Sequence, residues 1–252
     1  MESVDSLLSL SRAINAELLK LKRTLAFRVI FVLPFLVALL EFFIVLRMKK
    51  FPATFNLWQT LPTNSLQIWA VFMMPLLIAL ETALLNGIED SDRQWKHIFA
   101  LPVPRHAVYF AKFIVVQALI FISTFFLSLL TVIVGLISIQ LRPELANSGP
   151  VPYLWIAKTT AIVWLAGWLI IAIHTWISMR WSGFPVPLGA GIGGTFFALF
   201  AASASVGKYY PWLLPMNVFI DGRLTTAIVL GVAGGIVALL AGCFEFVRRD
   251  VA

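Results

Sequence analysis

Long apolar blocks separated by short polar segments dominate the pattern of the chain. Six blocks are long enough to cross the bilayer as helices, which takes about 20 residues each: 25–46, 66–86, 113–141, 153–179, 184–206 and 226–247. The third block is too long for an upright helix, so we expect it to tilt or to project from the membrane. The pattern predicts an all-α, polytopic membrane protein with one transmembrane domain spanning residues 1–252.

Composition supports this prediction. Of the 252 residues, 60% are hydrophobic and 12% are charged, whereas soluble domains contain about 45–50% apolar and about 25% charged residues. A soluble enzyme, a disordered regulator and a nucleic-acid-binding domain are therefore poor interpretations. The single cysteine, Cys243, excludes an internal disulfide and a multi-cysteine metal site.

The distribution of cations predicts the orientation. Six spans place both termini on one side, and no cleavable signal peptide is visible in residues 1–24. With cytoplasmic termini, 12 of the 19 Lys and Arg lie inside and 7 outside, as the positive-inside rule favours. Arg47, Lys49 and Lys50 in the first outer loop oppose this assignment.

The segment before the first span has an amphipathic pattern. Apolar residues recur at the spacing of one helix face: Leu7, Leu10, Ile14, Leu18, Leu21 and Leu25. Glu17 and most of the cations lie largely off this stripe. Residues 1–24 therefore form either an interfacial helix in the headgroup region or a helix packed on the protein's own cytoplasmic face.

The loop between the second and third spans, residues 87–112, differs from the others. Asp92 is a suitable helix N-cap, and Trp95 begins a short apolar stripe interrupted by cations. Pro102 and Pro104 end the helix, because a proline disfavours helical geometry in the residue before it. The sequence predicts a short, stiff, amphipathic helix braced by a Pro-x-Pro elbow.

This loop and the six-span layout resemble permease subunits of type-2 ATP-binding-cassette (ABC) exporters, and most closely the bacteriocin and lantibiotic immunity permeases. The residues that carry the resemblance are Glu81, Asn86, Glu89, Trp95, Lys96, the run Leu101-Pro102-Val103-Pro104-Arg105, Tyr109, Lys112 and the stretch 209–215. The amphipathic N-terminal segment agrees with it.

The resemblance implies a multi-pass protein of the bacterial cytoplasmic membrane, in which two permease halves, identical or homologous, each rest on a cytoplasmic ATPase subunit. The helix after the second span would couple to that ATPase through Glu89, Asp92, Arg93, Trp95, Lys96, Leu101, Pro102, Pro104 and Arg105. From the residues alone, a solvated loop with a tryptophan at headgroup level is the alternative. The sequence has no Gly-x-x-x-x-Gly-Lys-Ser/Thr loop, so ATP would be bound by the partner and no cofactor by this chain.

Charged residues inside the spans suggest further contacts. Arg28 and Glu81 lie at similar depth, so we expect them to form an intramembrane brace, because an unpaired charge there is costly. The alternative is that Arg28 extends to the headgroups and Glu81 meets backbone or solvent. Glu41 either lies on a cavity wall or pairs with Arg47. His174 has no second ligand at metal-binding spacing, and a structural hydrogen bond is the expected role.

The segment 207–221 is too apolar for a free loop and too rich in proline for a span. A short helix that dips into the outer leaflet fits this composition. The resemblance implies an outer gate here, formed by Tyr209, Tyr210 and Trp212, whereas an interfacial aromatic belt satisfies the sequence alone. Gly189 and Gly193 have the spacing of close helix contacts, either within one half or, by the resemblance, between the two halves.

The resemblance therefore predicts the permease subunit of an ABC exporter. The apolar spans favour a hydrophobic or amphipathic substrate, and the resemblance suggests an antimicrobial peptide. A polytopic membrane enzyme acting on lipid is one alternative, but it needs a nucleophile with a base or clustered metal ligands. Three histidines, one cysteine and isolated acids do not supply these. A membrane receptor or assembly factor is the other alternative.

Overall fold

The computed structural model describes residues 2–21, 24–48, 55–91, 104–181 and 183–248, which are helical with no β-strand among them. The longer α-helices are α1 (Glu2–Leu21), α2 (Leu25–Arg47), α3 (Leu57–Ile68), α4 (Met74–Ser91), α5 (Arg105–Leu141), α6 (Tyr153–Ala166), α7 (Trp168–Arg180) and α8 (Pro185–Ala201). They are followed by α9 (Leu214–Asn217), α10 (Leu224–Val229) and α11 (Gly235–Arg248). Short π-helical turns join α3 to α4 and α10 to α11, so each pair forms one continuous rod.

Five of the helical rods are long and apolar enough to cross a membrane: Leu25–Arg47, Leu57–Gly87, Arg105–Leu141, Tyr153–Arg180 and Leu224–Arg248. The sixth, α8, is a shorter apolar helix of 17 residues. This arrangement confirms the all-α, polytopic fold. The 37-residue α5 is about 55 Å long, well beyond the hydrocarbon thickness of about 30 Å.

Contacts between helix ends define the two faces of the bundle. At one end, Arg105 at the start of α5 contacts Val247 near the end of α11, and Arg180 at the end of α7 pairs with Glu245. At the other end, Arg142 donates to the backbone oxygens of Val45 and Met48 at the end of α2. The first face also carries the start of α2 and the end of α11, and we call it the terminal end; the second is the opposite end.

Three predicted spans have different bounds. The third helix begins at Arg105 rather than at residue 113. The second helical rod begins at Leu57 rather than at residue 66, because Asn56 caps it: the Asn56 Oδ1 accepts from the Gln59 amide at 3.1 Å. Its first turns contain several polar residues, which concealed them in the hydropathy pattern. The fifth helix ends at Ala201 instead of residue 206, and the chain then turns back into the bundle.

Polar contacts between neighbouring helices set the register of the core. The Ser123 hydroxyl of α5 donates to the Ile30 oxygen of α2 at 2.6 Å, and Ser128 bonds Thr160 of α6 at 2.6 Å. The Trp69 indole donates to the Thr124 hydroxyl at 3.1 Å. Such hydrogen bonds add specificity where the surrounding lipid gives little drive for association between apolar helices. They fix α5 at the centre of the bundle.

Candidate coupling site and outer gate

A buried ion cluster joins α1 to α5 at the terminal end. The Lys112 ammonium donates to one oxygen of Glu17 at 3.3 Å, and Lys20 donates to the other at 2.7 Å. Glu17 and Lys112 are only 3% and 1% exposed. Burial alone would raise the pKa of Glu17, but the charges of Lys112 and Lys20 and their hydrogen bonds bring it below its ordinary value. Glu17 is therefore held as a carboxylate between two cations.

The packing of α1 corrects the predicted stripe. Leu18 was expected on the apolar face and Glu17 off it, but Leu18 is exposed and Glu17 is buried. Ile14 and Leu21 pack in the main core, and Glu17 lies between them at helical spacing. Packing on the protein's own body, one of the two alternatives, therefore occurs on this face. The spacing of Glu17 from Leu10, Ile14 and Leu21 was the signal that could have placed it inward.

The part of α4 that lies at the terminal end of the bundle is fixed to α7. The Asn86 amide donates to the Ser178 hydroxyl at 2.5 Å and to the Thr82 oxygen at 3.1 Å. All three residues are buried. Glu89, the first of the predicted coupling residues, lies in the last turn of α4.

The start of α5 is fixed on the other side of that segment. Pro104 has an extended backbone and precedes the first turn of α5. The Arg105 guanidinium donates to the Val247 oxygen at 3.3 Å. Tyr109 is fully buried, and the centroid of its ring lies 5.7 Å from that of Phe246. A side chain at Gly242 would collide with the Tyr109 hydroxyl.

The remaining predicted coupling residues lie outside the described residues: Asp92, Arg93, Trp95, Lys96, Leu101 and Pro102. The structure shows how the segment is held at its two ends. One end continues from α4, which is bound to α7 through Asn86. The other continues into α5, which is bound to α11 through Arg105 and to α1 through Lys112. A displacement of this segment would therefore act on several helices at once.

The predicted brace between Arg28 and Glu81 is wrong. Both oxygens of the fully buried Glu81 lack a hydrogen-bond partner among the described residues, and Arg28 is exposed. Ala26 and Ile30 form the buried face of α2, and Arg28, about 200° from each, points the other way. The prediction failed because it assumed a different rotation of α2 about its axis.

The other proposed intramembrane pair is also not formed. Glu41 lies on the buried face of α2 with Val37 and Val45, while Arg47 is exposed. Within the part of the chain that the structure describes, no ion pair joins them, and no three His, Cys, Asp or Glu residues are grouped to hold a metal ion. His174 also differs from expectation: neither ring nitrogen has a hydrogen-bond partner among the described residues.

At the opposite end, the segment after α8 enters the bundle. Tyr210 donates through its hydroxyl to the Gly194 oxygen at 3.0 Å, and its ring stacks on Trp212 with centroids 5.5 Å apart. The Trp212 indole lies against Gly194, where a Cβ would collide with it, and edge-on to His174 at 5.5 Å. His174 is only six residues before the terminal end of α7 at Arg180, so Trp212 reaches deep between α7 and α8.

Tyr209 does not belong with these two aromatic residues. Its side chain is 56% exposed, and the Lys208 ammonium lies 4.7 Å from its ring centroid. Asn217 holds the segment in place instead. Its amide donates to the Gly207 oxygen at 3.1 Å, while its own oxygen accepts from Arg223 at 3.2 Å. Asn217 is fully buried, and sequence reasoning missed it, because one asparagine in a loop carries no distinctive spacing.

Comparison with known proteins agrees with this architecture. A family model described as ABC-2 family transporter protein matches residues 13–201, about three quarters of the chain. The match includes the second half of α1, the undescribed segment 92–103 and all of α8. No curated protein matches the chain.

Proposed function

The chain belongs to the ABC-2 family of transporter proteins and is a membrane permease subunit of an ABC transporter, and we propose that it couples ATP hydrolysis on a separate ATPase subunit to export of a hydrophobic or amphipathic substrate. The observation that carries this proposal is the anchoring of both ends of segment 92–103. Asn86 and Ser178 hold one side, and Arg105, Tyr109 and Lys112 hold the other.

The composition of that segment fits an ATPase contact. Trp95 with Arg93 and Lys96 is the combination common at the energetic centres of protein interfaces. Pro102 and Pro104 stiffen the connection to α5, since proline restricts the backbone. A movement imposed by ATPase closure would reach α5 through this elbow, and α1 would move with α5 because Glu17 and Lys112 form a buried pair.

The substrate class is proposed from the apolar composition of the spans. The exposed side chains of α8 are apolar, and the most exposed of them are Phe196, Phe197 and Phe200. The helix contains no charged residue. A surface of this type suits a peptide or a lipid-like molecule better than a small ion. Export of a membrane-active peptide, and with it bacteriocin immunity, rests on the resemblance alone.

A second permease half is part of the proposal. Gly189 and Gly193 meet no neighbouring atom, so the small-residue face of α8 is open. In contrast, Gly231 and Gly235 of the last rod contact Ala166 and Trp168 within the chain. Small residues allow close approach of helices, and α8 is therefore the surface that we assign to the second half, identical or homologous.

We assign the terminal end to the cytoplasm of a bacterial cell. The distribution of 12 and 7 cations supports this orientation, and the coupling segment leaves the bundle at the terminal end. An ATPase that uses cytoplasmic ATP must meet the permease on that side.

Co-purification tests the proposed coupling. The full chain is expressed together with a candidate ABC ATPase subunit, and the complex is isolated through a tag on the permease. Trp95→Ala is expected to reduce retained ATPase by at least about tenfold, as loss of an interface hot spot of about 2 kcal/mol would do. Trp155→Ala, an exposed tryptophan at the opposite end, is the matched control. Equal retention by the wild type and Trp95→Ala contradicts the proposal.

A further inference from the structure

A groove with a volume of about 250 Å³ opens on the surface of the bundle between α7 and α11. It is lined by Ile173, Trp176, Ala238, Ala241, Gly242 and Glu245. Its floor consists of the three small residues of α11. The segment around Trp212 does not contribute to its lining.

Charged side chains surround the terminal end of this groove. The Glu245 carboxylate accepts from the Trp176 indole at 2.5 Å and from the Arg180 guanidinium at 2.7 Å. The side chains of Arg180 and Glu245 are each 42% exposed. Arg248 lies one turn further along the same face of α11, with its guanidinium 3.7 Å from the centroid of the Phe244 ring.

The surroundings of the groove fit a surface that faces lipid. Val237, Leu240 and Phe244 of α11 are exposed apolar residues that flank it. A tryptophan beside an arginine is typical of the level at which acyl chains meet headgroups. With Arg105 bonded to Val247 nearby, three arginines and one glutamate of the described residues lie at this end, and together they carry a net charge of +2.

We propose that the α7–α11 groove binds an anionic phospholipid, with one acyl chain on Ala238 and Ala241 and the phosphate held by Arg180 and Arg248. Basic sites between membrane helices bind anionic headgroups in this way, and guanidinium groups form strong, charge-assisted hydrogen bonds with phosphate. The lipid would cover the seam at which the terminal ends of α7 and α11 meet. This inference goes beyond transport and requires neither the ATPase nor the substrate.

Native mass spectrometry of the purified full chain, titrated with dioleoylphosphatidylglycerol or dioleoylphosphatidylcholine, tests the proposal. We expect the anionic lipid to be retained preferentially. Ala241→Leu fills the groove and should abolish this preference, whereas Ala233→Leu, on the same rod but outside the groove, should leave it unchanged. Arg248→Gln should weaken binding of the anionic lipid about fivefold, the effect of one cation at an anionic surface.

Three results would overturn the proposal: equal retention of the two lipids, unchanged anionic-lipid binding by Ala241→Leu, or occupation of the groove by a second copy of the chain. The last is measured with Ala241→Cys in a Cys243→Ser background, where efficient disulfide cross-linking of two chains would show that protein covers the groove. Thermal melting of each variant in detergent confirms that it is folded before the lipids are compared.

Discussion

Glu17 of α1 and Lys112 of α5 form a buried ion pair at the terminal end of the bundle, 95 positions apart in the chain. Lys20 donates to the second oxygen of the same carboxylate. The pair connects the N-terminal helix to the helix that follows the coupling segment. In the proposed mechanism, α1 would move with α5 rather than independently of it.

Removing one member of this pair should destabilise the fold. We expect Lys112→Met to lower the free energy of unfolding by about 3–5 kcal/mol, because it leaves a buried carboxylate with less compensation. The double variant Glu17→Gln/Lys112→Met should recover a large part of this loss. Thermal melting in one detergent measures both. Additive losses in the double variant would show that the two side chains do not interact.

The same cluster predicts a pH dependence. The pKa of Glu17 is lower in the folded chain than its ordinary value of 4.5. The carboxylate therefore contributes stability that is fully present above pH 4.5 and is lost as the pH falls through the lowered folded pKa. The melting temperature of the wild type, measured from pH 7 downward, should decline toward that of Glu17→Gln only below about pH 4.5. A constant difference between the two across this range contradicts the prediction.

Glu81 provides the matched contrast within the membrane. Its carboxyl oxygens have no hydrogen-bond partner among the described residues, so none of the described cations pairs with it as Lys112 pairs with Glu17. We expect the free energy of unfolding of Glu81→Gln to lie within about 1 kcal/mol of the wild-type value or above it. The substitution replaces a costly buried acid by a neutral group of similar shape. A loss of several kcal/mol would show that Glu81 has an ionic partner.

The helices and their order could be predicted from the sequence because apolar length is a local property. The start of α3 at Leu57 and the end of α8 at Ala201 could not, because an asparagine cap and a turn back into the bundle depend on a few residues. The prediction of charge pairs failed for a different reason. Depth follows from position in a span, but whether Arg28 or Glu17 points inward depends on helix rotation, which packing against other helices decides.

In the coupling site and the predicted gate as well, local features could be predicted from the sequence and long-range contacts could not. The aromatic content of residues 209–215 marked the predicted gate, but the separation of Tyr209 from Tyr210 and Trp212, and the contact with Gly194 and His174, arise from packing of segments distant in the sequence. Asn86 was noticed through the resemblance, yet its bond to Ser178 spans 92 positions. Contacts of this range are not visible in local patterns.

Asn217 should control the mobility of the segment that contains Tyr210 and Trp212. Its side chain bonds Gly207 and Arg223, so Asn217→Ala removes two polar contacts that hold the segment inside the bundle. Leu213→Cys in a Cys243→Ser background places the only thiol at a position that is 1% exposed. Adding Asn217→Ala should speed labelling by a water-soluble maleimide about tenfold, the effect of one lost hydrogen bond of about 1.4 kcal/mol.

Asn147→Ala, at an exposed asparagine of the opposite end, is the matched control for this experiment and should leave the labelling rate unchanged. Equal rates with and without Asn217→Ala would show that the segment is held by its apolar contacts alone.

The open face of α8 predicts where two permease halves meet. Gly193 has no neighbouring atom within reach of a Cβ, so Gly193→Cys in the Cys243→Ser background should fold normally. If α8 forms the proposed contact, mild oxidation in native membranes should give a dimer linked by this thiol. Ala157→Cys, exposed on α6, should remain largely monomeric under the same conditions.

Because small residues let two helices approach closely, Gly193→Trp should in addition reduce co-purification of differently tagged copies if the halves are identical. Efficient cross-linking at Ala157 but not at Gly193 would move the contact from α8 to α6.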